Sequence, residues 1–159
     1  MEHLAREGLA ERAINVGDVM TDVCFRTRDA VPDRPPALPD RIDPDRPYLV
    51  ATIHRADNTD DADRLRSVIN VLRDLDAPVV LVAHPRLVSR VSAFGVELGG
   101  GSVVAVAPLG YADMVHAVLR SAGVVTDSGG LQKQAFLLGA PCTTPELLTW
   151  AGPETATPS

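Results

Sequence analysis

The chain has 159 residues, enough for one domain with a sizeable core, and 45% of them are hydrophobic while only 4% are aromatic. Its net charge of −6, with acids and bases mixed along the chain, argues against a nucleic-acid or membrane-surface role, though not against binding a small anion through local donors. Cys24 and Cys142 belong to no metal spacing, the N-terminus MEHLAREGLAERA is too charged for a signal peptide, and no apolar run approaches the ~20 residues that span a bilayer. The expectation is a soluble, cytoplasmic protein with reduced thiols and no metal or other cofactor.

Residues 3–11 carry a helical pattern, residues 13–16 (AINV) read as a short strand, and residues 17–25 as a helix opening on a glycine turn. Residues 31–47, VPDRPPALPDRIDPDRP, hold six prolines and four aspartates and read as an exposed linker rather than core. Regular alternation begins after them. Residues 48–53 are a largely apolar run of strand length, and residues 61–75 place Leu65, Val68, Ile69, Leu72 and Leu75 on one helical face. A second strand over 79–83 precedes a helix over 85–94 that begins on proline. The glycines at 99–101 turn the chain into a third strand, 103–107. A helix over 111–122 then carries Met114, Val115, Val118, Leu119 and Ala122 on one face, the fourth strand is 124–126, and a last helix covers 131–138. The stretch 145–159 has no clear period and reads as a frayed tail.

Strands apolar throughout, alternating with amphipathic helices, predict a doubly wound, mainly parallel α/β sheet with right-handed crossovers. Ligands of such sheets bind at the carboxyl ends of the strands. Three polar groups fall there: His54-Arg55, His84, and the run Asp127-Ser-Gly-Gly130.

Ser128, Gly129 and Gly130 open a helix, where unpaired backbone N–H groups and a partial positive charge favour an anion. Two glycines let a phosphate approach the backbone, and the serine hydroxyl adds a donor. Gln134, one turn on, can reach a sugar hydroxyl. The alternative is that Ser128 only caps the helix and the glycines allow tight helix–sheet packing. His54 can donate to phosphate or act as an acid near neutral pH; taken singly it also fits a hydrogen-bonded loop histidine, and so does His84. His116 reads as semi-exposed within its helix and His3 lies near the terminus; neither is given a role. Asp57, Asp60 and Asp61 read as capping residues for the following helix. Together the strand-end groups favour a diphosphate crevice. No GxGxxG or GxxxxGK[ST] is present, so neither a nicotinamide cofactor nor a P-loop is indicated.

At these residues the chain resembles the non-hydrolysing UDP-N-acetylglucosamine 2-epimerases. The segments that carry the resemblance are VGDVMTDV at 16–23, ATIHRADNTDDADRLR at 51–66, VAHPR at 82–86, PLGYADM at 108–114 and TDSGGLQKQAFLLGAPCTT at 126–144. The resemblance implies one Rossmann-like domain of a two-domain, GT-B-type enzyme that interconverts UDP-GlcNAc and UDP-ManNAc by eliminating and re-adding UDP. It implies that Ser128, Gly129 and Gly130 hold the diphosphate and that His54, with Arg55 beside it, contacts phosphate and assists departure of UDP. Met114 would sit by the uracil, where the family commonly has phenylalanine, and Gln134 would replace the glutamate that binds the ribose hydroxyls.

Set against the family, the pattern is expected to depart in three further respects. The front domain, with the carboxylates that move the C2 proton, is expected to be missing, the arginine-containing segment that ends in PE has no arginine here, and the closing helices that cross back over the first domain are expected to be absent. The organisation expected is a front-segment remnant at 1–30, the linker at 31–47, a UDP-binding domain at 48–144 and a divergent tail at 145–159. The chain is expected to bind UDP or a UDP-N-acetylhexosamine and to be inactive alone. Its expected partners are a complementing front domain or a second copy in a homodimer. A hydrolysing 2-epimerase fragment, a non-catalytic UDP-binding module and a glycosyltransferase half are the alternatives.

Overall fold

The computed structural model describes residues 2–31 and 36–146. The predicted strands form as β1 (Leu49–Thr52), β2 (Val79–Val82), β3 (Val103–Val106) and β4 (Gly123–Thr126). An edge strand that was not predicted, β5 (Cys142–Thr143), joins them. All neighbours pair in parallel, in the order β3-β2-β1-β4-β5. Every residue of β2 and β4 is buried, as parallel strands covered on both faces require.

Successive residues of a strand point to opposite faces, and each face here has its own core. On one face Ala51, Leu81 and Val103 pack with Leu65, Ile69 and Leu72 of the helix Ala62–Arg73 and Leu87 of the helix Pro85–Phe94. On the other, Val50, Val80, Val82 and Val124 pack with Ala117 and Val118 of the helix Tyr111–Arg120 and Leu131 and Ala135 of the helix Gly129–Leu138. Burying each of the larger apolar side chains stabilises the fold by about 1.5–3 kcal/mol. The helices in chain order are α1 (Glu2–Arg6), α2 (Val19–Ala30), α3 (Ala56–Thr59), α4 (Ala62–Arg73), α5 (Pro85–Phe94), α6 (Tyr111–Arg120) and α7 (Gly129–Leu138).

Local chemistry sets their ends. Asp61 caps α4 by accepting the Arg64 N–H at 2.7 Å. Pro85 opens α5, and the left-handed Gly95 and Gly139 end α5 and α7. Helix α2 lies farther out, packed on α6 and α7. Asp18 caps it, accepting N–H bonds from Met20 and Thr21.

Three expectations change. Residues 13–16 form no strand: Ile14 and Val16 are exposed, and the Asn15 side chain turns back to accept the Gly17 N–H, so this run finds no sheet to join. Residues 31–47 are not wholly outside the core, because Ile42 is buried with Tyr48 and Val50, and Leu38 packs on the same cluster. The tail begins as part of the fold: Pro145 is buried and Glu146 is hydrogen-bonded to Asn58, while the rest of 145–159 lies outside the described residues.

Candidate functional site

The strand order reverses at β1. The chain leaves β1 for β2 on one side and returns to place β4 on the other, so the loops after β1 and β4 diverge and leave a crevice between them. A cleft of about 380 Å³ opens there. Its floor is Thr52 and Val82, with His54 and His84 at the strand ends. Ser128, Gly130 and Gln134 line the α7 side, and Met114 comes from α6.

Asp127 ties the two diverging loops together. Its side chain is almost completely buried, and its carboxylate accepts the His54 N–H at 3.0–3.1 Å, the Arg55 N–H at 2.9 Å and Asn58 Nδ2 at 3.1 Å. His54 Nδ1 lies 3.1 Å from Asp127 Oδ1. The carboxylate at the end of β4 therefore organises the whole β1–α3 turn, and a buried charge is tolerable because donors surround it. Fully buried Asn58 extends the network, giving its other Nδ2 proton to Glu146 at 3.0 Å. Desolvation pushes the Glu146 carboxyl up, but the bonds from Asn58 and its neighbours outweigh this and hold it below the usual carboxylate range. One residue earlier on each strand, the Thr52 and Thr126 hydroxyls meet at 2.6 Å, and Thr126 Oγ1 accepts the Ser128 N–H at 3.0 Å.

At the start of α7, Ser128 Oγ accepts the Leu131 N–H at 3.4 Å, so the serine does cap the helix. The packing explanation for the glycines fails. A Cβ built on Gly129 meets nothing within 4 Å, one on Gly130 meets only Ser128 Oγ at 3.8 Å, and neither has a positive φ. The space a side chain would fill is open, and amides in a helix's first turn have no partner within the helix.

Apolar residues also line the cleft: Met20 and Cys24 of α2, Leu109, Met114, and Leu131 and Leu137 of α7. Tyr111 stands among them: desolvation, reinforced by Cys24, pushes its phenol up, against an opposing hydrogen bond with Gln134. Lys133 of α7 also lines the cleft and is ion-paired with Asp18, the cap of α2. That bond, with a second from Thr21, holds the Asp18 carboxyl down at about 2. The cleft therefore combines polar groups at the strand ends and helix start with an apolar lining.

Of the residues singled out from sequence, His54, His84, Met114, Ser128, Gly130 and Gln134 share this cleft. Arg55 and Gly129 adjoin it without lining it. Arg55 is exposed; its backbone N–H is given to Asp127 and its carbonyl accepts from Thr59 Oγ1. His116 is buried, not semi-exposed. Asp61 is a cap as expected, but Asp60 is instead the anion shared by Arg86 and Arg90. Sequence reasoning placed Asp127 at the strand ends without giving it a role, and missed Asn58, Lys133, Tyr111 and the threonine pair as parts of the site. For Asp127 a signal existed, since a carboxylate that closes a fully buried strand must find several donors. Among the described residues no group of three His, Cys, Asp or Glu could hold a metal ion, and no helix is long and apolar enough to cross a membrane.

The sequence of residues 1–146 matches the family model for UDP-N-acetylglucosamine 2-epimerase. The chain belongs to this family. A UDP-2,3-diacetamido-2,3-dideoxy-D-glucuronate 2-epimerase of Pseudomonas aeruginosa is 39% identical over 151 residues, which are 91% of this chain and 40% of that protein. A UDP-N-acetylglucosamine 2-epimerase homolog of Methanococcus maripaludis is 30% identical over 146 residues, 89% of this chain and 41% of that protein. The chain thus spans about 40% of the length of the curated relatives it matches. Among solved structures, the UDP-GlcNAc 2-epimerase of Methanocaldococcus jannaschii in complex with UDP-GlcNAc and UDP superposes with a TM-score of 0.69 at 24% identity, over 90% of this chain and 42% of that one. The family member described here has the parallel, Rossmann-like α/β fold expected of it.

Proposed function

We propose that this chain forms the UDP-binding half of a 2-epimerase site for a UDP-linked 2-acetamido sugar. The observation that carries the reading is the convergence of His54, Ser128, Gly130 and Gln134 on one cleft at the β1/β4 switch point. The diphosphate is assigned to the first-turn amides of α7, the Ser128 hydroxyl and His54. The uracil is assigned to the apolar lining near Met114, and the ribose to Gln134. Both named substrates among the relatives, UDP-GlcNAc and the UDP-diacetamido-glucuronate, carry the same UDP. The sugar specificity is therefore assigned to the part of the relatives that this chain does not match. So are the groups that move the C2 proton, which reach the cleft from a complementing segment or chain. Residues 48–144 act as the UDP-binding domain, and a cytoplasmic setting fits a nucleotide-sugar ligand.

The test is calorimetric titration of the 159-residue chain with UDP, beside His54→Ala and Ser128→Ala. At about pH 5.5, saturable binding, weakened about tenfold or more by each substitution, is expected, since a hydrogen bond to a charged group is worth about 1.5–3 kcal/mol. UDP-GlcNAc incubated with the same chain should yield no UDP-ManNAc. A folded chain that binds no UDP, or binds it with both variants unimpaired, refutes the reading.

A further inference from the structure

We propose that Asp127 is a positioning residue that fixes the His54 ring with Nδ1–H toward itself and Nε2 toward the cleft, while a backbone N–H fixes the neighbouring His84 in the opposite tautomer. The proposal deepens the reading of this cleft as a diphosphate site and rests on it for its functional consequence. The tautomers, however, are a property of the free protein.

The geometry is one of enforced donors and acceptors. An ionised carboxylate only accepts, and a bare ring nitrogen 3.1 Å from it would be repelled, so the approach of His54 Nδ1 to Asp127 Oδ1 is favourable when that nitrogen carries the proton. The ring's other nitrogen is then the one left for the cleft that His54 lines. At His84 the constraint is reversed. The Arg86 backbone N–H only donates, and it points at His84 Nδ1 from 3.1 Å, so Nδ1 is bare and neutral His84 holds its proton on Nε2. The two rings lie 5.3 Å apart between centroids, both on the same cleft. A neutral crevice therefore offers one acceptor, His54 Nε2, beside one donor, His84 Nε2–H. A diphosphate has only acceptor oxygens, so His54 contributes to holding it only when Nε2 is also protonated.

The charged and titratable groups around His54 are Asp127 at the end of β4, His84 at the end of β2, Arg55 next in the chain, and Tyr111 and Lys133 on the cleft walls. Lys133 is already paired with Asp18.

The substitution that isolates the effect is Asp127→Asn. Oδ2 serves two backbone N–H groups and Asn58, whereas Oδ1 serves His54 Nδ1 and shares the His54 N–H. The asparagine carbonyl will take the Oδ2 place, where most donors converge. Its NH₂ then faces His54 Nδ1 and drives the ring proton to Nε2. An aspartate of purely structural importance would lower stability without moving that proton.

The experiment is ¹⁵N–¹H correlation of the imidazoles in the ligand-free chain at about pH 9, where histidines are neutral. Signals are assigned by the loss of one set in His54→Asn and another in His84→Asn. The wild type should show His54 as Nδ1–H and His84 as Nε2–H. Asp127→Asn should convert His54 alone to Nε2–H. Titration with UDP-GlcNAc, whose diphosphate does not titrate in this range, supplies the functional arm. Wild-type affinity should fall about tenfold between about pH 5.5 and pH 9, and that of Asp127→Asn by less than about threefold, because its neutral ring already donates from Nε2. A wild-type His54 found as Nε2–H overturns the proposal, and so does a folded Asp127→Asn whose His54 stays Nδ1–H. If the variant does not fold, the opposite tautomers of the two wild-type histidines decide. Absence of UDP-GlcNAc binding at every pH would refute the functional reading while leaving the tautomer result to judge Asp127.

Discussion

Gly130→Ala separates what the fold needs from what a ligand needs. The added methyl would meet only Ser128 Oγ, at 3.8 Å, which is ordinary van der Waals contact, and the backbone is not in the left-handed region. Nothing in the folded chain opposes it. Alanine at a compatible site narrows the unfolded ensemble and stabilises by about 0.4–1 kcal/mol, with helix propensity acting in the same direction. For a chain of this size that is a rise in melting temperature of about 1–4 °C. A phosphate seated on the first-turn amides would, however, be held off by the methyl. Losing one or two hydrogen bonds to an anion costs about 1.5–3 kcal/mol each, so UDP affinity should fall about ten- to a hundredfold or more. Thermal unfolding and calorimetric titration on the same sample read both effects, and Gly129→Ala, with nothing within 4 Å, should behave alike in stability. A clear fall in melting temperature would mean that helix–sheet packing does require the glycine. A rise with UDP affinity unchanged would mean that the phosphate does not sit on these amides.

Three other perturbations probe the same framework. Ser128→Asp keeps a side chain that caps helices as well as serine does, so stability should hold within about 0.5 kcal/mol, while UDP binding is abolished by like-charge repulsion; retained binding would place the anion elsewhere. Tyr48, fully buried and donating to the Ala117 carbonyl at 2.8 Å, has its phenol pushed up from 10.0 to about 12 by burial, so the unfolded chain ionises first. The stability this gives is complete below about pH 10 and is lost as pH rises through about 12, a change of about 2–3 kcal/mol that denaturant titrations should find in the wild type and not in Tyr48→Phe. Asp18 is held at about 2, below its ordinary 3.8, so its support of the α2–α7 contact is present above about pH 4 and is lost as pH falls through about 2. Lys133→Ala should return the Asp18 carboxyl toward its ordinary range in a ¹³C-detected titration, and an unmoved titration would show that the lysine is not its partner.

The sheet was legible because its central strands are buried on both faces and so leave continuous apolar runs, as at 79–82. The helix over 85–94 was legible to the residue because proline and a left-handed glycine bracket it. What periodicity could not see was burial decided by distant partners. Ile42 sits in a proline-rich run whose composition reads as surface, yet one apolar side chain there finds the Tyr48 cluster. Residues 13–16 have the composition of a strand and no neighbour to pair with. The site was half legible for a related reason. His54, Ser128 and Gln134 lie in segments with local signatures, a strand end and a helix start. Asp127 to Asn58 is a contact across 69 residues, and no local window contains both ends. Lys133 to Asp18 spans 115.

A chain of net charge −6 can still build the anion site proposed here because of how folding disposes of its acceptors. Asp127, the carboxylate beside the cleft, spends its oxygens on the β1–α3 turn and Asn58. The Ser128 oxygen spends a lone pair on the Leu131 N–H, which leaves its own proton free to turn toward a ligand. His84 spends Nδ1 on Arg86, leaving Nε2–H. The first amides of α7 are donors by construction. At each of these places the fold consumes acceptors and delivers donors to the cleft, so the local field is set by the backbone's needs rather than by the charge count. His54 is the exception. In the tautomer proposed above its donor faces Asp127 and an acceptor is left over for the cleft. On that proposal it is the polar group at the crevice that must gain a proton to hold a diphosphate, and a proton so placed is available to a departing phosphate oxygen.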